Sequence, residues 1–227
     1  MKPHRFWHWP GWGQIGYFLL LGGAVALWFV FIYGGANFLT GQHHYRVRLY
    51  FDAELAIPFV PQAVLGYMSI YITFIMAPFI LRTRRELRAL ARTLAVIILV
   101  AGVCFVIVPA EIVFPSPSEM GMWTGLVRFA KEVALPYNLA PSLHVAMSIV
   151  CITIYAARAG LLGRCLFSLW TVAIGLSTLL LHQHYVLDVI TGFALGLAGV
   201  HWIYQKRPRG RTVGQTFLSA APGQAFE

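Results

Sequence analysis

The sequence predicts an all-α fold, a polytopic membrane protein built as a six-transmembrane-helix bundle. Composition is the first reason: 59% of the 227 residues are hydrophobic and only 11% charged, against about a quarter charged in a soluble domain. The second is the spacing of the apolar residues. They gather into runs near the roughly 20 residues that a helix needs to cross a hydrocarbon core of ~30 Å, where every backbone polar group must be paired internally. The third is that the charges lie between those runs, as topology determinants do.

The elements follow in order. Residues 1–14 hold Lys2, Arg5 and three tryptophans, Trp7, Trp9 and Trp12, which suit a membrane–water interface. The first run covers residues 15–36. A polar segment with His43, His44, Arg46, Arg48, Asp52 and Glu54 leads to a second run at 57–81, whose Pro58 and Pro61 sit in its first turns, where a missing N–H costs little. Arg82, Arg84, Arg85, Arg88 and Arg92 form a basic connector to the third run, 93–110. The proline-punctuated stretch 109–141 is the longest loop. Three further runs follow at 143–157, 161–181 and 186–204. Lys206, Arg207, Arg209 and Arg211 close the bundle, and the small-residue tail to Glu227 reads as disordered. The expected division is thus a cytoplasmic segment 1–14, a membrane domain 15–205 and a cytoplasmic tail 206–227, with no internal repeat.

The net charge of +9 does not point to nucleic acid, because the basic residues are spread between apolar runs. Lys and Arg are most numerous in the connector after the second run and in the tail, and the ends and the even connectors hold the excess. With six spans this places both termini in the cytoplasm. The loops before residue 144 and around residue 184 then share the outer, periplasmic or lumenal, face. Arg164 must snorkel from the start of its helix. Cys104, Cys151 and Cys165 lie in apolar runs without paired spacing, so no disulfide framework or thiolate metal site is implied. The first run is long enough to span and lacks a small-residue cleavage site, so a cleavable signal peptide is not expected.

Two short stretches carry the chemistry. Asn138-Leu-Ala-Pro-Ser-Leu-His144 opens an apolar run, with Ser142 near the N-cap and His144 in the first turn. The free N–H groups and positive dipole end of such a terminus attract anions. Forty residues later His184 and Asp188 stand four apart on one helix face. A carboxylate on one ring nitrogen fixes the tautomer and leaves the other nitrogen free to attack. Ser177, about two turns before His184, can face the same place, whereas His182 is offset and points elsewhere. Read structurally, the same residues are a serine cap, an interfacial histidine and a His–Asp pair joining helices. A metal site could draw on His144, His182, His184 and Asp188, yet only His184 and Asp188 have helical ligand spacing.

Pro141-Ser142-Leu143-His144 resembles the P-S-x-H motif of the type 2 phosphatidic acid phosphatase superfamily. Ser177-Thr178, His184 and Asp188, with Gly192 following, resemble its S-R-x5-H-x3-D motif. Order, spacing, six spans and an outward site extend the likeness over residues 15–205. The resemblance implies that His184 is the nucleophile forming a phosphohistidine, that Asp188 orients it, and that His144 protonates the leaving oxygen. Ser142 would contribute to the phosphate pocket. No metal or other cofactor is implied. The expected partners are a lipid phosphate or phospholipid substrate and the bilayer.

The chain also departs from that pattern. The first motif, K-x6-R-P, is absent; Arg128 and Lys131 are the nearest basic residues in the corresponding loop and stand as candidate substrate-binding groups beside Ser142 and Ser177. Thr178 replaces the third-motif arginine, and Leu143 the second-motif glycine. Losing those cations weakens binding of a doubly charged phosphomonoester more than of a phosphodiester. These departures, with Ile57-Pro-Phe-Val-Pro61, Tyr67 and Tyr71, are similar to the inositol phosphorylceramide synthase and sphingomyelin synthase branch, which moves a phospho-head group between lipids. The expected function is a lipid phosphatase or phosphotransferase. The alternative is a non-catalytic lipid-binding or scaffolding membrane protein that keeps the fold. A transporter is disfavoured, since no pair of broken helices recurs in corresponding halves. Which lipid, which acceptor and what oligomeric state stay open.

Overall fold

The computed structural model describes residues 6–114 and 120–205; the expected disorder of the tail falls outside them. Among these residues all regular structure is helical. Four helices are long and apolar enough to cross a membrane: Trp12–Gly41, Arg84–Ile107, Leu161–Leu180 and Val186–Tyr204. The segments Pro61–Ile75 and Leu143–Ala156 are apolar but shorter, so four of the six expected spans have a helix of full crossing length among the described residues. The chain is an integral membrane protein by these spans.

α1 (Trp12–Gly41) is apolar around its whole circumference and mostly uncovered by protein. At 1.5 Å per residue its 30 residues reach about 45 Å, more than the ~30 Å of a hydrocarbon core, and side chains such as Leu20, Leu27 and Phe31 are exposed. It packs along α5 (Arg84–Ile107), where Trp28 donates its Nε1–H to the Ala95 carbonyl at 3.0 Å.

The second apolar run is not one helix. After a 3-10 turn at Asp52–Ala56, it breaks into a 3-10 turn at Pro61–Ala63 and three short helices, α2 (Val64–Met68), α3 (Ile70–Ile75) and α4 (Ala77–Ile80). The breaks have local causes. Pro61 and Pro78 supply no N–H, and the Ser69 hydroxyl donates back to the Gly66 carbonyl at 2.6 Å, competing with the helical ladder.

α5 starts nine residues before the expected residue 93. Thr83-Arg-Arg-Glu86 is a capping box: the Thr83 hydroxyl accepts Glu86 N–H at 3.2 Å and the Glu86 carboxylate accepts Thr83 N–H at 3.1 Å. The arginines of the connector other than Arg82 therefore ride on the helix rather than on a loop. The long loop also contains a helix, the amphipathic α6 (Thr124–Val133).

α7 (Leu143–Ala156) is the central helix, with most of its side chains buried. α8 (Leu161–Leu180) returns antiparallel, and α9 (Val186–Gly199) runs parallel to α7 before ending in a π turn, Val200–Tyr204. Glycines set the α7–α9 distance: a Cβ on Gly192 would stand 2.5 Å from the Ser142 carbonyl oxygen, and one on Gly196 2.7 Å from that of Ala146. Small residues at such an interface let two backbones touch. At the far ends of these helices Arg158 pairs with Glu86 at 2.8 Å and reaches the Tyr204 hydroxyl at 3.2 Å. The heads of α7 and α9 accordingly lie together at the opposite end.

Candidate active site

Local chemistry fixes each head. Ser142 is extended, caps α7 by accepting Val145 N–H at 3.4 Å, and donates its own N–H to the Asp188 carbonyl oxygen at 2.9 Å. Asp188, fully buried, sits at the third position of α9 and accepts Tyr185 N–H at 2.8 Å through Oδ2. The same oxygen lies 3.4 Å from Nδ1 of His184, one turn away. Neither Asp188 Oδ1 nor His184 Nδ1 makes a hydrogen bond, so the carboxylate and the ring are in ion-pair contact only. A carboxylate so placed favours a proton on His184 Nδ1 and leaves Nε2 with its lone pair.

His144 is held from the other side. Its Nε2 is 2.7 Å from the Tyr67 carbonyl oxygen, which can only accept, so the proton of the neutral ring sits on Nε2. The imidazole stacks on the Tyr67 ring with centroids 3.9 Å apart and planes 15° from parallel. Nδ1 is then the nitrogen left to take up and release a proton.

Both imidazoles line one cavity of about 370 Å³ bounded by α1, α2, α3, α5, α6 and α7. Among the described residues its wall is apolar apart from His144, His184, Tyr33, Tyr67, Tyr71 and Asn138, with no Lys or Arg. Asn138, 2% exposed, donates Nδ2–H to the Tyr33 carbonyl at 2.7 Å, while its Oδ1 is buried without a partner. The cavity extends past Tyr71 and Phe74 to Leu87 and Leu90 near the arginine-bearing end of α5, a depth suited to a hydrocarbon chain.

The remaining expected residues lie outside this wall. Ser177 is buried, donates its hydroxyl to the Ile174 carbonyl at 2.6 Å and packs against Gly66. Arg128 is exposed on α6. Lys131 stands half-buried with its Nζ 5.7 Å from the centre of the Phe59 ring, and burial lowers its pKa. His182, in a left-handed conformation at φ 55°, donates Nε2–H to the Ile57 carbonyl at 2.9 Å and stacks on Phe114 at 4.0 Å. Burial, and secondarily the nearby Lys131 charge, lower its pKa. Among the described residues no three His, Cys, Asp or Glu side chains converge to hold a metal ion.

Sequence reading missed Glu54 as part of this region and Tyr67 as the residue that carries His144, and it included Asn138 in the site stretch without giving it a role. Tyr67 had a weak signal, its place beside Tyr71 in an aromatic pattern. Glu54 meets α9 across 132 residues of chain, a separation that no local pattern reports.

Comparison with curated proteins and with solved structures finds no match. The family model described as the PAP2 superfamily matches residues 37–202, a stretch that begins within α1 and takes in the heads of α7 and α9 with both histidines. This chain belongs to the PAP2 superfamily.

Proposed function

We propose that the protein is a membrane lipid phosphatase or phosphotransferase that works through a phosphohistidine at the outer face, on a lipid phosphate or phospholipid head group. One observation carries the reading: His184, backed by Asp188, and His144, forty residues earlier, line the same cavity. In the proposed cycle His184 Nε2 attacks phosphorus in line, and the bond to the leaving oxygen breaks as protonated His144 delivers a proton from Nδ1. His144, now neutral, takes a proton from water or an acceptor hydroxyl. That oxygen displaces His184 from phosphorus, which restores both rings. Ser142 and the first N–H groups of α7 hold the non-bridging oxygens. In this reading the short segments Pro61–Ile75 and Leu143–Ala156 complete a six-span topology with both termini cytoplasmic.

Among the described residues no Lys or Arg lines the cavity wall, which favours a singly charged phosphodiester over a phosphomonoester, since none of them offsets a second charge there. That supports a head-group transferase like the inositol phosphorylceramide and sphingomyelin synthases. The same absence favours, as the second reading, a lipid-binding protein without turnover. The test is to reconstitute the full chain with labelled phosphatidic acid or labelled phosphatidylinositol, with and without diacylglycerol or ceramide. Turnover that His184→Ala and His144→Ala each abolish supports the enzyme. Wild-type rates in either folded variant overturn the assignment, and no turnover together with no vanadate binding supports the lipid-binding reading.

A further inference from the structure

We propose that Glu54 is a positioning residue of this site: by satisfying the Val186 N–H at the head of α9, it leaves the Asp188 carboxylate to His184. The inference rests on the phosphohistidine reading above. Residues 51–60 strap the turn between α8 and α9 at three points. Val60 N–H donates to the Leu180 carbonyl at 2.9 Å, His182 Nε2–H to the Ile57 carbonyl at 2.9 Å, and Val186 N–H to Glu54 Oε2 at 2.7 Å. The second oxygen of Glu54 accepts Phe51 N–H at 3.0 Å, so the carboxylate is pinned inside its own 3-10 turn. Glu54 is 6% exposed, whereas its neighbours Asp52 and Leu55 face out. A carboxylate is buried in a loop only where its hydrogen bonds are met. Glu54 is not part of the cavity wall, so its contribution must pass through the residues it holds.

The first N–H groups of a helix find no carbonyl in their own ladder. In α9 two carboxylates divide that work: Asp188 Oδ2 takes Tyr185 N–H and Glu54 Oε2 takes Val186 N–H. Asp188 Oδ1 is buried and unpartnered. Removing Glu54 leaves an unpaired donor at Val186, in the same first turn of α9 as the Asp188 carboxylate. The Asp188 carboxylate turns toward the donor, Oδ2 moves away from His184 Nδ1, and the tautomer that exposes the Nε2 lone pair loses its support.

The test uses the full chain in liposomes with labelled phosphatidic acid or phosphatidylinositol, whichever the wild type turns over. Glu54→Ala lowers kcat by about 10–100-fold, the range for partners that orient a reacting ligand, and leaves KM within about twofold. The second variant adds Val186→Pro, which deletes the orphaned donor. Proline suits the first helical position, Tyr185 already has the extended backbone (φ −96°, ψ 166°) that precedes proline, and the missing carboxylate leaves room for its ring. The double variant regains kcat over Glu54→Ala by about fivefold or more, because no donor now competes for Asp188. A carboxylate that only braces the fold gives no such rescue. A Glu54→Ala kcat within twofold of wild type, or a double variant no faster than Glu54→Ala, overturns the proposal. Where Glu54→Ala does not fold, Glu54→Val, which keeps part of the packing but accepts no hydrogen bond, takes its place with the same expected direction and the same rescue. If the wild type turns over neither lipid, the enzymatic reading is what fails, and Glu54 is judged by amide hydrogen exchange of residues 180–190. Faster exchange in Glu54→Ala, reversed by adding Val186→Pro, keeps the clamp; unchanged exchange removes it.

Discussion

The Ser142 N–H donates to the Asp188 carbonyl oxygen at 2.9 Å, so the two stretches that carry the histidines are joined by a backbone hydrogen bond. That bond requires α7 and α9 to run at backbone contact, and Gly192, one turn beyond Asp188, is where they touch.

Gly192→Ala is therefore expected to force the heads apart, since its Cβ would sit 2.5 Å from the Ser142 carbonyl oxygen, which cannot rotate away. Overpacking of this kind costs about 1–3 kcal/mol, and misplacing the two imidazoles should cut kcat about 100-fold. Gly175→Ala is the control: its Cβ meets Val189 at an ordinary 3.6 Å, and both thermal stability and turnover should stay near wild type. Equal behaviour of the two variants would remove the α7–α9 spacing from the account.

Asp188→Asn keeps the shape of a fully buried side chain but removes the charge beside His184 Nδ1. Its amide can also present a donor to that ring and favour the wrong tautomer. By analogy with other His–Asp pairs the expected loss of kcat is on the order of 10³–10⁴, in a protein that still folds. Rates measured across several lipids decide this, and a loss under tenfold would make the pair structural.

Ser177→Ala separates sequence spacing from geometry. The hydroxyl is turned back onto the Ile174 carbonyl within its own helix, a bond worth about 0.5–1.5 kcal/mol. Stability should fall by no more than that and kcat/KM should stay within about threefold of wild type. A large rise in KM would restore Ser177 to the substrate pocket.

Thr83→Ala tests the opposite end of the bundle. Losing the N-cap of α5 should destabilise by about 0.5–2 kcal/mol, read as a lower denaturation midpoint. The kcat of the folded fraction should not change, because Thr83 lies at the end of the helices away from His144 and His184. A kcat that fell with the midpoint would mean that the arginine-bearing end is coupled to the cavity.

Composition and run length carry the membrane-embedded, all-helical class without help from the structure, because the cost of burying charge in lipid acts on every residue separately. The motif residues were legible for a similar reason: Ser142 caps and His184–Asp188 share a face through short-range geometry alone. The same is true in principle of the Thr83–Glu86 box, whose spacing is a plain signal for a helix starting at Arg84. What only the tertiary structure decided are the relations between segments distant in the chain. The break-up of residues 57–81 has local causes in Ser69 and the prolines, but that the Ser69 hydroxyl also accepts Trp170 Nε1–H at 2.8 Å, from a helix a hundred residues on, is a tertiary matter. That Ser177 packs against Gly66 depends on how α2 lies against α8. The placing of His144 on Tyr67 and of Glu54 on Val186 depends on long loop closures, and residue spacing holds no record of which backbone groups such closures bring within 3 Å.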